Sequence, residues 1–187
     1  MVKKKRLHTQ PGRKGSGSMN QKLLDTLAEE MMLYDFGDAR RTFHFIQVHD
    51  LARRIALGEN VPSDVQFITE AAALVHDIGI HNCEKKYGAC PGSLQEREGP
   101  PEAEKILWRL GFSEAQTSRI CELVGRHHTY QNVDSMDLQI LIEADFLVNL
   151  HEDGCSKNAV HTAYDKHFKT KTGRRLCRTI YGLDEKA

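Results

Sequence analysis

The stretch Ala71-Ala72-Ala73-Leu74-Val75-His76-Asp77-Ile78-Gly79 sets two ionisable side chains inside an otherwise apolar run. Ile68, Ala71, Ala72, Leu74 and Val75 leave almost no polar side on this helix, which places it at the centre of a bundle rather than on its surface. Burying an imidazole and a carboxylate there is costly unless each finds a partner. A bound cation would be such a partner for both.

Two flanking segments repeat the anomaly. A helix predicted from about Asp38 to Leu57 carries His44, Val48, Leu51, Ala52 and Ile55 on one face. Another, from Asp137 to about His151, sets Asp145 among Ile142, Ala144, Leu147 and Val148. Three separate helices thus each direct nitrogen or carboxylate groups inward. Mixed histidine and carboxylate donors suit a divalent transition metal (iron, manganese, zinc, cobalt or nickel) better than a thiolate-seeking site would. A lone buried histidine is more often a satisfied core residue than a ligand, so only the group together points to a metal. The second His-Asp pair, His49-Asp50, fails that test. Asp50 falls among Gln47, Arg53 and Arg54 and reads as surface.

The remaining pattern is also helical. Leu23, Leu24, Leu27, Met31 and Tyr34 recur at spacings of three and four, and Gly37 ends that run. Ser63 or Asp64 is placed to cap the central helix, and Ser113 with Gln116 forms a capping-box pattern. Pro101 suits the first turn of a helix reaching Gly111, and two more helices are predicted near Ser156–Phe168 and Gly173–Tyr181. Residues 80–99, with Gly88, Pro91, Gly92 and Gly99, read as a long irregular loop of functional character. No segment alternates with period two for long enough to make a sheet. The expectation is an all-α bundle of about seven to eight helices, one domain over residues 19–187, preceded by a disordered basic tail over residues 1–18.

Composition narrows the function. Lysine plus arginine and aspartate plus glutamate both number 26, but Lys3, Lys4, Lys5, Arg6, Arg13 and Lys14 all lie in the tail, so the body is acidic. An acidic body is a poor general nucleic-acid binder, because affinity for the backbone comes from cations. No apolar run approaches bilayer-spanning length, and the basic start lacks the apolar segment of a secretory signal. The five cysteines are odd in number and form no CxxC pair, which argues against disulfides or structural zinc and fits a reducing cytoplasm.

The order of these motifs resembles the HD superfamily of metal-dependent phosphohydrolases. The matching segments are Arg41-Thr42-Phe43-His44 with Val48 and Ala52, Ala73-Leu74-Val75-His76-Asp77-Ile78-Gly79, and Glu143-Ala144-Asp145, spanning most of residues 40–150. The resemblance implies a helical HD domain with His44, His76, Asp77 and Asp145 as metal ligands. It further implies Asp77 as a catalytic group and hydrolysis of a phosphate ester, a nucleotide or related small metabolite, by metal-activated water. The stretch Gln95-Glu96-x-Glu98-Gly99-Pro100 is similar to that of small stand-alone members. His127 and His128 occupy a place where some members hold a second metal or the substrate phosphate, and His81 is a further candidate ligand, so one ion or two are both allowed. Among cations, Lys85 and Arg126 are the best placed along the chain for phosphate. Lys86, Lys169, Lys171, Arg174 and Arg175 are weaker candidates. Glu96 and Glu98 are candidate acid–base groups, and Tyr87 and Tyr130 are candidate stacking surfaces. The expected partner is a small phosphorylated substrate, with no membrane, and a homodimer is allowed. A non-catalytic nucleotide sensor and a di-iron oxygenase are the alternatives on the same scaffold.

Overall fold

The computed structural model describes residues 16–183; the first fifteen residues, and so most of the expected tail, lie outside them. Among the described residues there are nine helices and no strand. They are α1 (Ser16–Tyr34), α2 (Ala39–Glu59), α3 (Ser63–Val75), α4 (Ile80–Tyr87), α5 (Gly92–Leu110), α6 (Glu114–Val124), α7 (Met136–Glu152), α8 (Lys157–His167) and α9 (Lys171–Tyr181). None is long and apolar enough to cross a membrane.

The α3 helix is the axis, as its composition demands. Every residue from Ala71 to Val75 is buried, and the helix packs against α1, α2, α6 and α7. The α2, α3 and α7 helices also pack on one another, so the three segments that carry inward-facing ionisable groups are mutual neighbours. The α6 helix packs on α3 and carries α5 against it, while α8 and α9 pack on α7 and α9 also packs on α2.

Local signals set most boundaries. Asp38 caps α2 by accepting from the Arg41 backbone N–H at 3.0 Å. Ser113 and Gln116 form the expected reciprocal capping box on α6. Pro62, rather than Ser63 or Asp64, occupies the N-cap of α3. Gly111 ends α5 with φ of +87°, a conformation only glycine adopts without strain.

The expected loop over residues 80–99 is a correction. It contains α4 and the first two turns of α5, and α5 continues through Pro100 and Pro101. Gly88 does turn the chain, ending α4 with φ of +71°, but Gly92 and Gly99 serve close approach instead. A Cβ on Gly99 would fall 2.7 Å from Val124 Cγ1, and one on Gly92 would fall 2.7 Å from the His128 ring. Glu96 fastens this part of α5 by accepting from the His128 backbone N–H and the Thr129 hydroxyl, both at 2.9 Å. Tertiary packing here outweighs the missing proline N–H groups.

Glu143, inside the motif around Asp145, has a structural task. Its carboxylate accepts from the backbone N–H groups of Lys169 (2.6 Å) and Thr170 (2.8 Å), the Thr170 hydroxyl (2.5 Å) and the Gln139 amide (2.7 Å). It thereby ties the α8–α9 link to α7. Glu143→Ala would strand the buried Thr170 N–H and hydroxyl and leave the part-buried Lys169 N–H without its partner. We expect a loss of about 3 kcal/mol of stability in urea denaturation, since each orphaned donor costs about 1–3 kcal/mol. A loss under about 0.5 kcal/mol, the size of an ordinary surface change, would refute this role.

Candidate metal centre

His76 is the residue at which α3 stops, and His76-Asp77-Ile78-Gly79 forms the turn into α4. The turn lies close under α5: a Cβ on Gly79 would fall 2.7 Å from Gly99 N and 2.9 Å from the Gln95 carbonyl oxygen. His44 projects from α2 and Asp145 from the middle of α7. The four side chains meet. His44 Nε2 lies 3.2 Å from His76 Nε2, 3.4 Å from Asp77 Oδ2 and 3.3 Å from Asp145 Oδ1. His76 Nε2 lies 3.5 Å from each of the same two oxygens. Ligands about 2.0–2.2 Å from one divalent ion stand roughly 2.8–3.6 Å apart, depending on coordination number. The donor spacings therefore match a common cation.

The tautomers fit as well. A backbone carbonyl can only accept, so His76 Nδ1–H donates to the Ala73 carbonyl (2.9 Å) and His127 Nδ1–H donates to that of Val124 (2.7 Å). His44 Nδ1 faces Glu152 Oε1 at 3.3 Å. Each ring is oriented through Nδ1 and presents Nε2 inward, the arrangement by which outer partners fix a metal-binding histidine. His127 Nε2 is buried without a hydrogen-bond partner, 3.6 Å from Asp77 Oδ1. A buried nitrogen without a partner, this close to the Asp77 carboxylate, fits a metal-ligating role.

Electrostatics agree. Burial opposes charge on His44, but the hydrogen bond to Asp145 and the charges of Asp77 and Asp145 prevail and lift its pKa to about 9. Burial raises the Asp77 carboxyl, yet His76 and His127 outweigh it and bring it down to about 2. Asp145 is likewise lowered, against its burial, by hydrogen bonds to His44 and His76. Both carboxylates stay ionised at neutral pH and attract a cation, whether proton or metal. The sign follows for His44. Its folded pKa lies above the unfolded value, so its contribution is full below about pH 6.5 and lost as pH rises through about 9. The chelated protein should therefore lose thermal stability across that interval, and manganese should restore it, most strongly at the alkaline end. Identical melting profiles with chelator and with metal at pH 9 would contradict this.

His44 and Asp77 reach the floor of a cleft of about 510 Å³, a size usual for small-ligand sites, while His76 and Asp145 lie buried behind it. Its walls include Arg40, Arg41, Gln95, His128, Asn149 and Glu152. Other sequence-selected residues lie elsewhere. His81 turns away from the four donors and pairs with Asp35 at 2.8 Å. Arg126 points to Glu122 and Asp134, at 3.2 and 3.1 Å. Glu98 is held by Lys86, Tyr87 and Arg97. None of Lys85, Lys86, Arg126 or Glu98 is in the cleft lining. Lys85 and Arg126 are near the donors along the chain, but that nearness does not bring them into the lining. Tyr130 packs on Phe146 and His167, and its hydroxyl meets His128 Nδ1 at 3.2 Å. His128 Nε2 is engaged by Gln95 Oε1 at 2.8 Å, and burial pushes the pKa of His128 down to about 4. Asp50 pairs with Arg54 on the surface, and His49 Nε2 sits 3.2 Å from Glu70.

Sequence reading gave no role to Arg41, Gln95 or Glu152. Arg41 was findable, because it lies three residues before His44 and hence on the same helical face. Gln95 entered only as a member of the Gln95-Glu96-x-Glu98-Gly99-Pro100 stretch, and Glu152 carried no comparable signal.

The chain is similar in structure to two solved proteins. One is a predicted HD superfamily hydrolase from an uncultured Thermotogales bacterium (TM-score 0.57, 22% identity, covering 87% of this chain and 84% of that one). The other is YpgQ of Bacillus subtilis (TM-score 0.62, 19% identity, covering 87% and 88%). No protein-family model matches the chain, and no curated protein matches it. The fold is that of an HD-domain protein, an all-α bundle with a His and Asp cluster at its centre.

Proposed function

We propose that this protein is a metal-dependent phosphohydrolase acting on a small phosphate ester, a nucleotide or related metabolite. The observation that carries the reading is the convergence of His44, His76, Asp77 and Asp145 at spacings of 3.2–3.5 Å, with His44 and Asp77 opening onto a cleft. A divalent cation held there supplies Lewis acidity toward a phosphoryl oxygen and a water that ionises near neutral pH. The chain supplies the rest. Asp145 is almost wholly buried and anchors the donor set, while Asp77 is the more open carboxylate, its side chain 27% exposed toward the cleft. With its pKa lowered, Asp77 acts better as a ligand than as a strong base. His128, held by Gln95 and Tyr130, offers a rigid polar wall. Apart from imidazoles the lining presents no aromatic face, so recognition falls on phosphate and polar groups. The free thiols of the described cysteines fit the reading of a cytoplasmic enzyme.

A two-ion version is favoured by one feature. Asp77 Oδ2 faces His44 and His76, while its Oδ1 faces the unpartnered His127 Nε2, so Asp77, His127 and His128 would hold the second ion. The oxygenase alternative is weakened because His81 is committed to Asp35.

The test is a metal analysis and a phosphate-ester panel with manganese, iron, cobalt, nickel and magnesium, including Asp77→Ala. Metal-dependent phosphate release that Asp77→Ala lacks is expected. Equal turnover by the variant would remove Asp77 from the site. Tight nucleotide binding without turnover in any metal would point to the sensor instead.

A further inference from the structure

Arg41 and His44 are one turn apart on α2, which sets their Cβ atoms about 5–6 Å apart. Both line the cleft above Asp77. The Arg41 guanidinium is pinned. Nη1 donates to His81 Nδ1 at 3.1 Å and lies 3.3 Å from Asp38 Oδ2, while Nη2 donates to Glu84 Oε1 at 2.6 Å. His81 is fixed from behind, its Nε2 lying 2.8 Å from the buried carboxylate of Asp35. An ionised carboxylate only accepts, so Nε2 carries the proton and Nδ1 offers its lone pair to Arg41. Tyr34 packs edge-on against the His81 ring at 5.3 Å and donates its hydroxyl to the Ile78 carbonyl at 3.2 Å. That contact joins this wall to the turn bearing His76 and Asp77. Asp35, His81 and Arg41 thus form a chain of contacts from the core to the cleft.

The partners of Arg41 differ in how firmly they are held. Asp38 is the N-cap of α2 and His81 is braced by Asp35, but the Glu84 side chain is 51% exposed and keeps its carboxylate in water. It is the anion that an incoming one can replace. Arg40, also on the cleft, is a poor comparison: its side chain is 75% exposed and only 3.7 Å from Glu152.

We propose that Arg41 binds non-reacting oxygens of the substrate's phosphoryl group, displacing Glu84, and that His81 and Asp35 are positioning residues that aim its planar fork. The inference rests on the phosphohydrolase reading and deepens it. The substrate it selects presents a phosphoryl dianion beside the metal centre. A guanidinium whose rotamer is already fixed loses little freedom on gripping a second anion, and lysine cannot reproduce its two-pronged geometry.

The test uses the manganese-loaded full chain, with calorimetric binding of inorganic phosphate, kinetics on p-nitrophenyl phosphate and metal content measured together. Arg41→Lys and His81→Phe should weaken phosphate binding about tenfold or more, the scale of a lost charge-assisted hydrogen bond. KM should rise by a similar factor, with kcat within about threefold of wild type. Metal content should not change. His81→Gln, whose amide can donate to Asp35 and accept from Arg41, should recover most of the binding. Glu84→Gln, which removes the competing carboxylate, should tighten phosphate. A loss shared equally by metal content and kcat, without tightening in Glu84→Gln, would mean a merely structural wall and overturn the proposal. So would wild-type phosphate affinity in Arg41→Lys with normal metal, which would leave the hydrolase reading intact. A wild-type protein that holds manganese but neither binds phosphate nor releases it from any ester would end the hydrolase reading itself, and this inference with it.

Discussion

Asp145→Ala is expected to abolish metal retention while leaving the helical content unchanged. Asp145 is 3% exposed, and its Oδ1 is 3.3 Å from His44 Nε2 and 3.5 Å from His76 Nε2. Without it, two imidazoles face each other with Asp77 as their sole carboxylate among the four donors. Even loss of an outer partner of a metal ligand lowers affinity about 10–100-fold, so loss of a ligand itself should cost at least about 100-fold. Chelator competition and metal content would register this directly. Asp50→Ala is the matched control, since that carboxylate is held only by the surface arginine Arg54 at 2.6 Å. It should bind metal as the wild type does. Stoichiometric metal in Asp145→Ala would show that α7 contributes nothing to the centre.

Gly79→Val should be the most disruptive single change away from the ligands. The obstacle is steric, because Gly79 has ordinary helical dihedrals, φ −70° and ψ −16°. A Cβ there meets backbone on the facing helix, at 2.7 Å from Gly99 N and 3.0 Å from Gly99 Cα, and backbone cannot rotate away as a side chain can. Either α5 lifts off or the His76–Gly79 turn shifts, and both displace Asp77. Overpacking costs about 1–3 kcal/mol where side chains can yield, and more is expected here. A fall in melting temperature with weakened metal binding is the expected pair of results. A variant with wild-type melting and metal affinity would show that the close approach of the turn and α5 is not needed.

The centre was legible in the sequence because cost marks it. His44, His76, Asp77 and Asp145 are ionisable groups on faces whose other members are apolar, and such placement demands a partner. His49-Asp50 has the same composition but lacks that setting, and it pairs with Glu70 and Arg54 instead. The cleft wall was less legible. Gly92, Gly99, Pro100 and Pro101 read as punctuation because turn signals concern the backbone alone, whereas here small residues admit the His128 ring and the Val124 side chain. Nearness along the chain also misled. Arg126 lies beside His127 yet turns toward Glu122 and Asp134, while Arg41, one turn before His44, faces the cleft. Side-chain direction on a helix, and not distance in sequence, decides which cations a site can use.

The proposed centre requires one ion shared by donors from three segments of the chain. Anomalous diffraction from crystals soaked in manganese measures that most directly. A peak is expected about 2.0–2.3 Å from His44 Nε2, His76 Nε2, Asp77 Oδ2 and Asp145 Oδ1 together. A peak elsewhere, or none at saturating manganese, would contradict it.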